Sequence, residues 1–598
     1  MCAQAALNRW FFSMNHPARL LITALAAVAP FAVPAHAELN FLGGVSLPNS
    51  AEILSYDKAT SSLLSTYSSA TGQGVQIYTL GSNGALGAVR NVNLSGAAFA
   101  LNDTFSLSSV VVDTQNRDFA VATLIPKANN TTQGKAVFFQ VSTGTVLTTL
   151  DVGYHPDSVT ITPDGTRIVI ANEGEATGNP DNPSNVSTTP AAGSISVINL
   201  SGITNTAGIQ GLTGSAVTTK TFEAANLANG VSIENLRNNR DVPIAATLGG
   251  VSRIASGDRY LDIEPEYITT TNTTAYISLQ ENNAIAVYDL ATDKITAIHD
   301  LGTVNQRMDA SNAGGDGINV NDTVAALRSP DTIAKFERAG TTYIVTANEG
   351  DYRPDDADRI TYAAAVTAGL VDPATKAALD AQYAGNSTAP GALGNLRISK
   401  IDGDTNGDGK IDVVTTISSR SISIVNGNTG AVVFDSGSMI EDFVAANDPT
   451  TFNINAEGST MANFAGTLDS RSRDKGPEIE AVAFGSVDGH DYIFAAAERQ
   501  NGIFAFDVTD LNNIQIVDYY NLLTGENGGG DYRAPESLLF ISAADSPTGK
   551  ALLIAGFEIS GSIAVFDLSG ISAIPEPASA AALLGAASLG LVLCRRRR

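Results

Sequence analysis

Five acidic residues each stand directly after a proline: Asp157, Glu266, Asp331, Glu478 and Glu536. Each pair opens an apolar run, and a second run further on ends at another acid: Glu173, Glu281, Glu349, Glu498 or Glu558. Carboxylates ligate hard cations, and a carboxylate-held cation can support hydrolysis. The tetrapeptide GDYR occurs at 350–353 and again at 530–533, which adds Asp351, Arg353, Asp531 and Arg533 to the candidates. Like charges crowded together are unfavourable unless paired or metal-bound. Arg328, Arg473 and Arg533 lie two to four residues before their prolines and Arg259 lies six before Pro265, so these four are the expected neutralisers. Two readings stay open: a repeated salt bridge or turn cap between neighbouring units, or a site for a cation or ligand.

A second constellation runs Asp404-Thr-Asn406-Gly-Asp408-Gly-Lys410-Ile-Asp412. Oxygen ligands at positions 1, 3, 5 and 9, a glycine at 6 and the Lys410 carbonyl at 7 match the first part of a calcium loop. Position 12 is Thr415, so the loop is not a complete EF-hand and resembles the shorter DxNxDG loops of extracellular proteins. Bound Ca²⁺ or a plain Asx/Gly turn would both satisfy this pattern. No organic cofactor is expected. The chain has no GxSxG elbow, P-loop or HExxH, and His155, His299 and His490 show no metal-ligand spacing. The reading leans away from an enzyme.

The elements that must hold these residues are short strands. The stretch 476–508 reads as strand, turn, strand, turn, strand, an antiparallel meander. The same unit begins at His155, Glu264, Ser329 and Ala534, with weaker copies at Ala51 and Ser106. About seven such units predict an all-β fold, a seven-bladed β-propeller with YVTN/WD40-like blades. Leu39–Leu47 is a further strand, expected to complete the last blade. The predicted blades cover about 50–100, 103–150, from 155, 262–303, from 330, 476–521 and 534–570. Loop and short helical insertions fall at 176–193, 213–262, 306–322, 355–395 and 440–474. Helices are expected at Val231–Arg240, on both sides of Asp372-Pro373, and in EDFVAAN; residues 396–417 read as an added hairpin. In a propeller the first strand leaves one face and the second returns to it. The Pro-acid pairs, the recurrent glutamates and the insertions therefore share one face, where function usually lies.

The ends have a different character. Leu20–Val33 is apolar and leads into Ala35-His36-Ala37, an A-x-A cleavage pattern, so 1–37 reads as a signal peptide, with Met14 an alternative start. Residues 38–573 form the propeller domain. At 574–598 stand Pro575-Glu576-Pro577, a short transmembrane-type apolar run Ala578–Cys594, and Arg595–Arg598. This tail resembles the PEP-CTERM sorting signal of Gram-negative bacteria. The resemblance implies processing by an exosortase and only transient membrane attachment; a plain membrane anchor is the alternative. Removing both ends takes away Cys2, Cys594 and Trp10, so no disulfide is expected. It also leaves 29 basic against 60 acidic residues, a net charge of −31. Such a chain repels nucleic acid.

NEGE at 172–175, EPEYI at 264–268, SPDTIA at 329–334, NEGDYR at 348–353, DGDTNGDGKID at 402–412, GPEIEAVAFG at 476–485, AERQNGIFAFDV at 497–508 and APESL at 534–538 carry a wider resemblance. Together they make the chain similar to the choice-of-anchor I family of bacterial surface propellers. The resemblance implies a secreted or cell-surface binding or scaffold protein of a Gram-negative bacterium. Expected partners are the extracellular polysaccharide layer or a surface protein. Relatives are often labelled alkaline-phosphatase-like, so the alternative is a metal-dependent phosphoesterase at the acidic face.

Overall fold

The second strand of each repeat is apolar on both of its faces, and that pattern sets the architecture. In Arg167–Asn172, Val169 and Ala171 enter one core while Ile168 and Ile170 enter another. In His490–Ala497, Ile493, Ala495 and Ala497 face one neighbour, and Tyr492 and Phe494 face the other. A strand that alternates between two buried faces belongs to a sheet packed on both sides. The computed structural model describes residues 39–45, 51–69, 72–94, 105–126, 132–174, 191–234, 236–237, 259–313, 317–352 and 358–571. The expected signal peptide, residues 176–190 of the third-blade insert, Arg353 and the C-terminal tail lie outside these residues.

Seven four-stranded antiparallel sheets form among the described residues. The first has Leu54–Asp57, Ser62–Ser69, Gly72–Leu80 and Leu86–Asn93. The second has Phe105–Val112, Phe119–Pro126, Lys135–Gln140 and Val146–Asp151. The third has Pro156–Ile161, Arg167–Asn172, Ser194–Asn199 and Val217–Thr221. The fourth has Ile268–Thr270, Thr274–Leu279, Ala284–Asp289 and Lys294–Asp300. The fifth joins Ile333–Arg338 and Thr341–Ala347 to Ile422–Asn426 and Val432–Asp435. The sixth has Ile479–Val487, His490–Ala497, Gly502–Asp507 and Gln515–Asn521. The seventh takes Pro535–Ile541, Leu552–Phe557 and Ser562–Asp567, with Asn40–Val45 as its outermost strand.

One hydrophobic core lies between each successive pair of sheets. Leu64 of the first sheet meets Leu124 of the second, Phe138 of the second meets Ile168 of the third, and Val169 of the third meets Ile277 of the fourth. The series continues with Tyr276 and Ile344, Phe336 and Ile493, and Phe494 and Leu553, and it closes with Ile554 of the seventh sheet against Leu63 of the first. The first strands likewise touch in cyclic succession. Sheets radially arranged around a ring of inner strands make a β-propeller. Asparagines in left-handed turns stitch neighbours together. Asn283 (φ 54°) accepts from the Arg328 and Ser329 N–H groups at 3.0 and 2.8 Å, and Asn501 (φ 70°) accepts from Ala534 N–H at 2.9 Å.

The inserted segments build a small accessory unit with its own core, including Met308, Val324, Tyr362, Leu393, Ile398 and Ile411. Asp372 caps the helix Pro373–Gln382 by accepting from the Ala374 and Thr375 N–H groups. The expected helices appear as Tyr362–Thr367, Pro373–Gln382 and Met439–Asn447. Two expectations are corrected. The stretch 396–417 is not a hairpin: Arg397–Ser399 pairs with Arg359–Thr361, and Thr415–Thr416 runs parallel to Asp322–Leu327. The segment after the fourth sheet is not all loop, since Thr303–Met308 pairs with Asp322–Leu327. The expected helix Val231–Arg240 falls partly outside the described residues. Among the described residues, no helix is long and apolar enough to cross a membrane.

The N-terminal strand pairs antiparallel with Ser562–Asp567, and Phe41 packs among Tyr520, Tyr532 and Phe566. A Cβ at Gly44 would lie 2.2 Å from the Ile563 carbonyl oxygen and 2.6 Å from the Tyr532 hydroxyl. Gly44→Val is expected to cost about 1–3 kcal/mol through overpacking. A urea midpoint measured by circular dichroism checks this; an unchanged midpoint would mean that the closing strand is not seated there.

Candidate functional site

A bulge at the start of the inner strand aims an acid toward the axis. His155, Ser329, Glu478 and Ala534 all adopt positive φ, at 47°, 38°, 54° and 62°. In the third, sixth and seventh sheets the pairing register then slips at Asp157, Glu480 and Glu536. The extra residue of a bulge re-aims its side chain. The sixth-sheet equivalent of Asp331 and Glu536 is therefore Glu480, two residues beyond the Pro-Glu pair. In the second sheet Ser108 occupies the slipped position. Glu52 stands at the matching place before the first sheet, and its charge is felt at Glu536.

Three carboxylate triads converge, each with ligand oxygens within 4.8 Å of one another: Asp331–Glu349–Glu480, Glu349–Glu478–Glu498 and Glu498–Glu536–Glu558. Shared Glu349 and Glu498 link them into one cluster across the fifth, sixth and seventh sheets. The middle triad is heavily neutralised. Arg499 Nε donates to Glu478 Oε2 at 2.8 Å, and it lies 3.2 Å from Glu498. Lys475 pairs with Glu349 and lies 3.7 Å from Glu478, which Arg471 also engages. Gln280 Nε2 donates to the other Glu349 oxygen at 2.7 Å.

The first triad differs. Among the described residues, neither Asp331 nor Glu480 forms an ion pair with a cationic side chain. Asp331 is 5% exposed, and its Oδ2 is buried with no hydrogen-bond partner. Burial, helped by the charges of Glu349 and Asp157, pushes the Asp331 carboxyl up to about 8. Burial and the charges of Glu349 and Asp331 drive Glu480 well above the usual carboxylate range. Burial likewise raises Glu266, Glu498 and Glu536. Burial pulls the Lys475 ammonium down, but Glu349 and Glu478 outweigh it and hold it well above its ordinary value.

The remaining candidates fall outside the triads. Glu173 lies 3.4 Å from His155, and Glu281 contributes its carbonyl to Arg237 at 2.6 Å. Arg237 also binds Asp402 at 2.9 Å and Asp358 at 3.2 Å, which ties the accessory unit to the carboxylate end of the ring. Asp351 is exposed, with its Oδ1 accepting from the Tyr352 N–H at 2.7 Å. Asp531 and Arg533 form a bidentate pair at 2.7 and 2.9 Å with each other. The expected neutralisers are corrected too. Arg328 binds Asp435, Arg533 binds Asp531 and Arg259 binds Glu234. Arg473 supplies a carbonyl to Arg397 N–H. Lys475, Arg471 and Arg499 take their place. Their position just outside the repeated Pro-acid and strand-end pattern is the signal that could have found them.

In the 404–412 loop, Asp404 accepts from Gly407 N–H and Gly409 N–H at 2.8 Å each, and Asp408 accepts from Lys410 N–H at 2.9 Å. Asp412 accepts from Thr405 N–H at 3.0 Å and Asn406 Nδ2 at 3.1 Å. These carboxylates are not among the converging triads.

A β-propeller with an acid cluster at its insert-bearing end defines the class. The chain belongs to the choice-of-anchor I domain family, whose model matches residues 52–511. It is similar to Gigasin-3a of Magallana gigas, 28% identical over 196 residues, which is 31% of this chain and 68% of that protein. Among solved structures it is similar to the Cps50 (Swd1) β-propeller domain of Myceliophteria thermophila, with 8% identity, 89% and 99% of the two chains covered and a TM-score of 0.39. Hydrazine synthase of Kuenenia stuttgartiensis matches with 10% identity, 88% and 96% coverage and a TM-score of 0.39.

Two predictions concern this electrostatic arrangement. Lys475→Met leaves buried carboxylates without their cation and is expected to destabilise the fold by about 3–5 kcal/mol at neutral pH, read from denaturant midpoints. The second concerns pH. A raised folded-state carboxyl binds more protons folded than unfolded, so its stabilisation is complete below the unfolded value near 4 and is lost as pH rises through about 8 for Asp331. In chelator, the melting temperature should fall between acidic and alkaline buffer, and Asp331→Asn should flatten that slope. A melting temperature that rises over the same range would contradict the assignment.

Proposed function

We propose that this family member is a surface-associated binding protein whose seven sheets are the seven blades of one ring. Its ligand meets the insert-bearing acidic end. The observation that carries this reading is the linked carboxylate cluster on three successive sheets, beside an accessory unit anchored by Arg237 and Arg397. Export through the A-x-A leader and sorting through the Pro-Glu-Pro tail complete the reading, with an exosortase as processing partner. What supports them is the order of their parts in the sequence. Calcium at Asp404, Asn406, Asp408, Lys410 and Asp412 belongs to the same proposal, supported by ligand-type spacing.

An extracellular polysaccharide is the partner class. A chain this acidic repels an anionic polymer unless divalent cations bridge the two. The test is co-sedimentation of the purified protein with alginate, a polyuronate, and with neutral dextran. Retention on alginate that requires calcium is expected, with none on dextran; no retention on either polymer, with or without calcium, would reject the reading. A parallel arm uses a generic phosphomonoester with calcium, magnesium or zinc. Turnover lost in Glu349→Gln would replace binding by hydrolysis.

A further inference from the structure

We propose that Asp331, Glu349 and Glu480 form a site for one hard divalent cation of calcium size. The inference rests on the reading of the acidic end as a binding surface, and it places an ion within that end. Four observations lead to it. Oxygens within 4.8 Å of one another suit a common ion at 2.3–2.6 Å from each, since two opposed ligands then lie about twice that distance apart. The donor set is all carboxylate, which favours calcium or magnesium over zinc or copper. Asp331 Oδ2 is a buried acceptor without a donor, and such atoms are rare in folded proteins.

Charge is the fourth observation, and it separates this triad from the others. Glu349 is already balanced by Lys475. That leaves Asp331 and Glu480 as two carboxylates with no cationic partner among the described residues, which a single divalent ion would balance. The Glu349–Glu478–Glu498 triad instead holds Lys475, Arg471 and Arg499, so a further cation there would meet three positive side chains. In the third triad Glu498 faces Arg499, while Glu536 and Glu558 are only partly buried. Glu349 is the least buried of the three, on the side from which water would complete the coordination shell.

The experiment is calorimetric titration of calcium into the chelator-stripped full chain, beside four variants. Asp331→Asn and Glu480→Gln should each weaken one calcium event at least about tenfold, which is 1.4 kcal/mol. Asp404→Asn and Glu478→Gln should leave that event in place. Because the first two substitutions keep the side chain's shape and put a neutral amide where burial already disfavours the charged carboxylate, they should melt no lower than wild type in chelator at neutral pH, which shows that they are folded. Calcium should raise the melting temperature of wild type and not of these two. Unchanged affinity in both variants would overturn the site, as would an event lost only in Asp404→Asn. Alginate retention, measured on the same samples, separates the two ideas. Retention without this calcium event removes the site alone, and the event without retention removes the binding reading alone.

Discussion

Among the described residues, none of the seven four-stranded sheets has a face to spare. Each presents apolar side chains on both sides, and each is covered only because a neighbour stands on either hand. Fully buried side chains such as Phe504, Phe138 and Tyr492 are worth roughly 1.5–3 kcal/mol each when removed from water. A stack of such sheets with two free ends would expose two of those faces. Closing the row into a ring removes both ends at once, which makes closure the condition for every core. The N-terminal strand on Ser562–Asp567 secures that closure by joining the two ends of the described domain within one sheet.

Closure has an electrostatic consequence. Inner strands that converge on an axis bring their opening residues together, and in this chain most of the units place an acid there. Near the axis they are crowded and partly dry, so burial acts on each before its neighbours do. The chain resolves the conflict unevenly. Around Glu478 it supplies lysine and arginine; around Asp331 and Glu480 it supplies no cationic side chain among the described residues. A buried salt bridge is weak evidence for stability, because desolvation offsets much of its attraction. Asymmetric neutralisation within a repeated scaffold is a stronger pointer to function than the repetition itself.

Much of this was legible in the residues. Alternating apolar runs between polar turns define the meander, and its recurrence defines the ring. Asp372-Pro373 marks a helix start because an aspartate cap and a proline at the first helical position satisfy local backbone needs. Local rules failed where tertiary pairing decides. The strands at 397–399 and 415–416 are short, and their partners lie far along the chain, so adjacency suggested a hairpin that does not form. Pro477 was misleading in the same way. It repeats the Pro-acid spelling, but the left-handed residue of the sixth sheet is Glu478, which moves the bulge acid to Glu480.

That two-residue displacement bears on how the cluster arose as chemistry. In the third, fifth and seventh units the residue before the bulge acid's neighbour is His155, Ser329 or Ala534, none of them acidic. The fourth unit carries Glu264 there and the sixth Glu478, but of the two only Glu478 is left-handed and fully buried, among Lys475, Arg471 and Arg499. Lys475 is thereby held between Glu478 and Glu349, and Glu349 is thereby turned toward both Lys475 and the Asp331–Glu480 pair. One extra buried acid, with the cations it demands, thus breaks the equivalence of the units. It concentrates the unresolved charge at Asp331 and Glu480, where the ring departs from its own repeat.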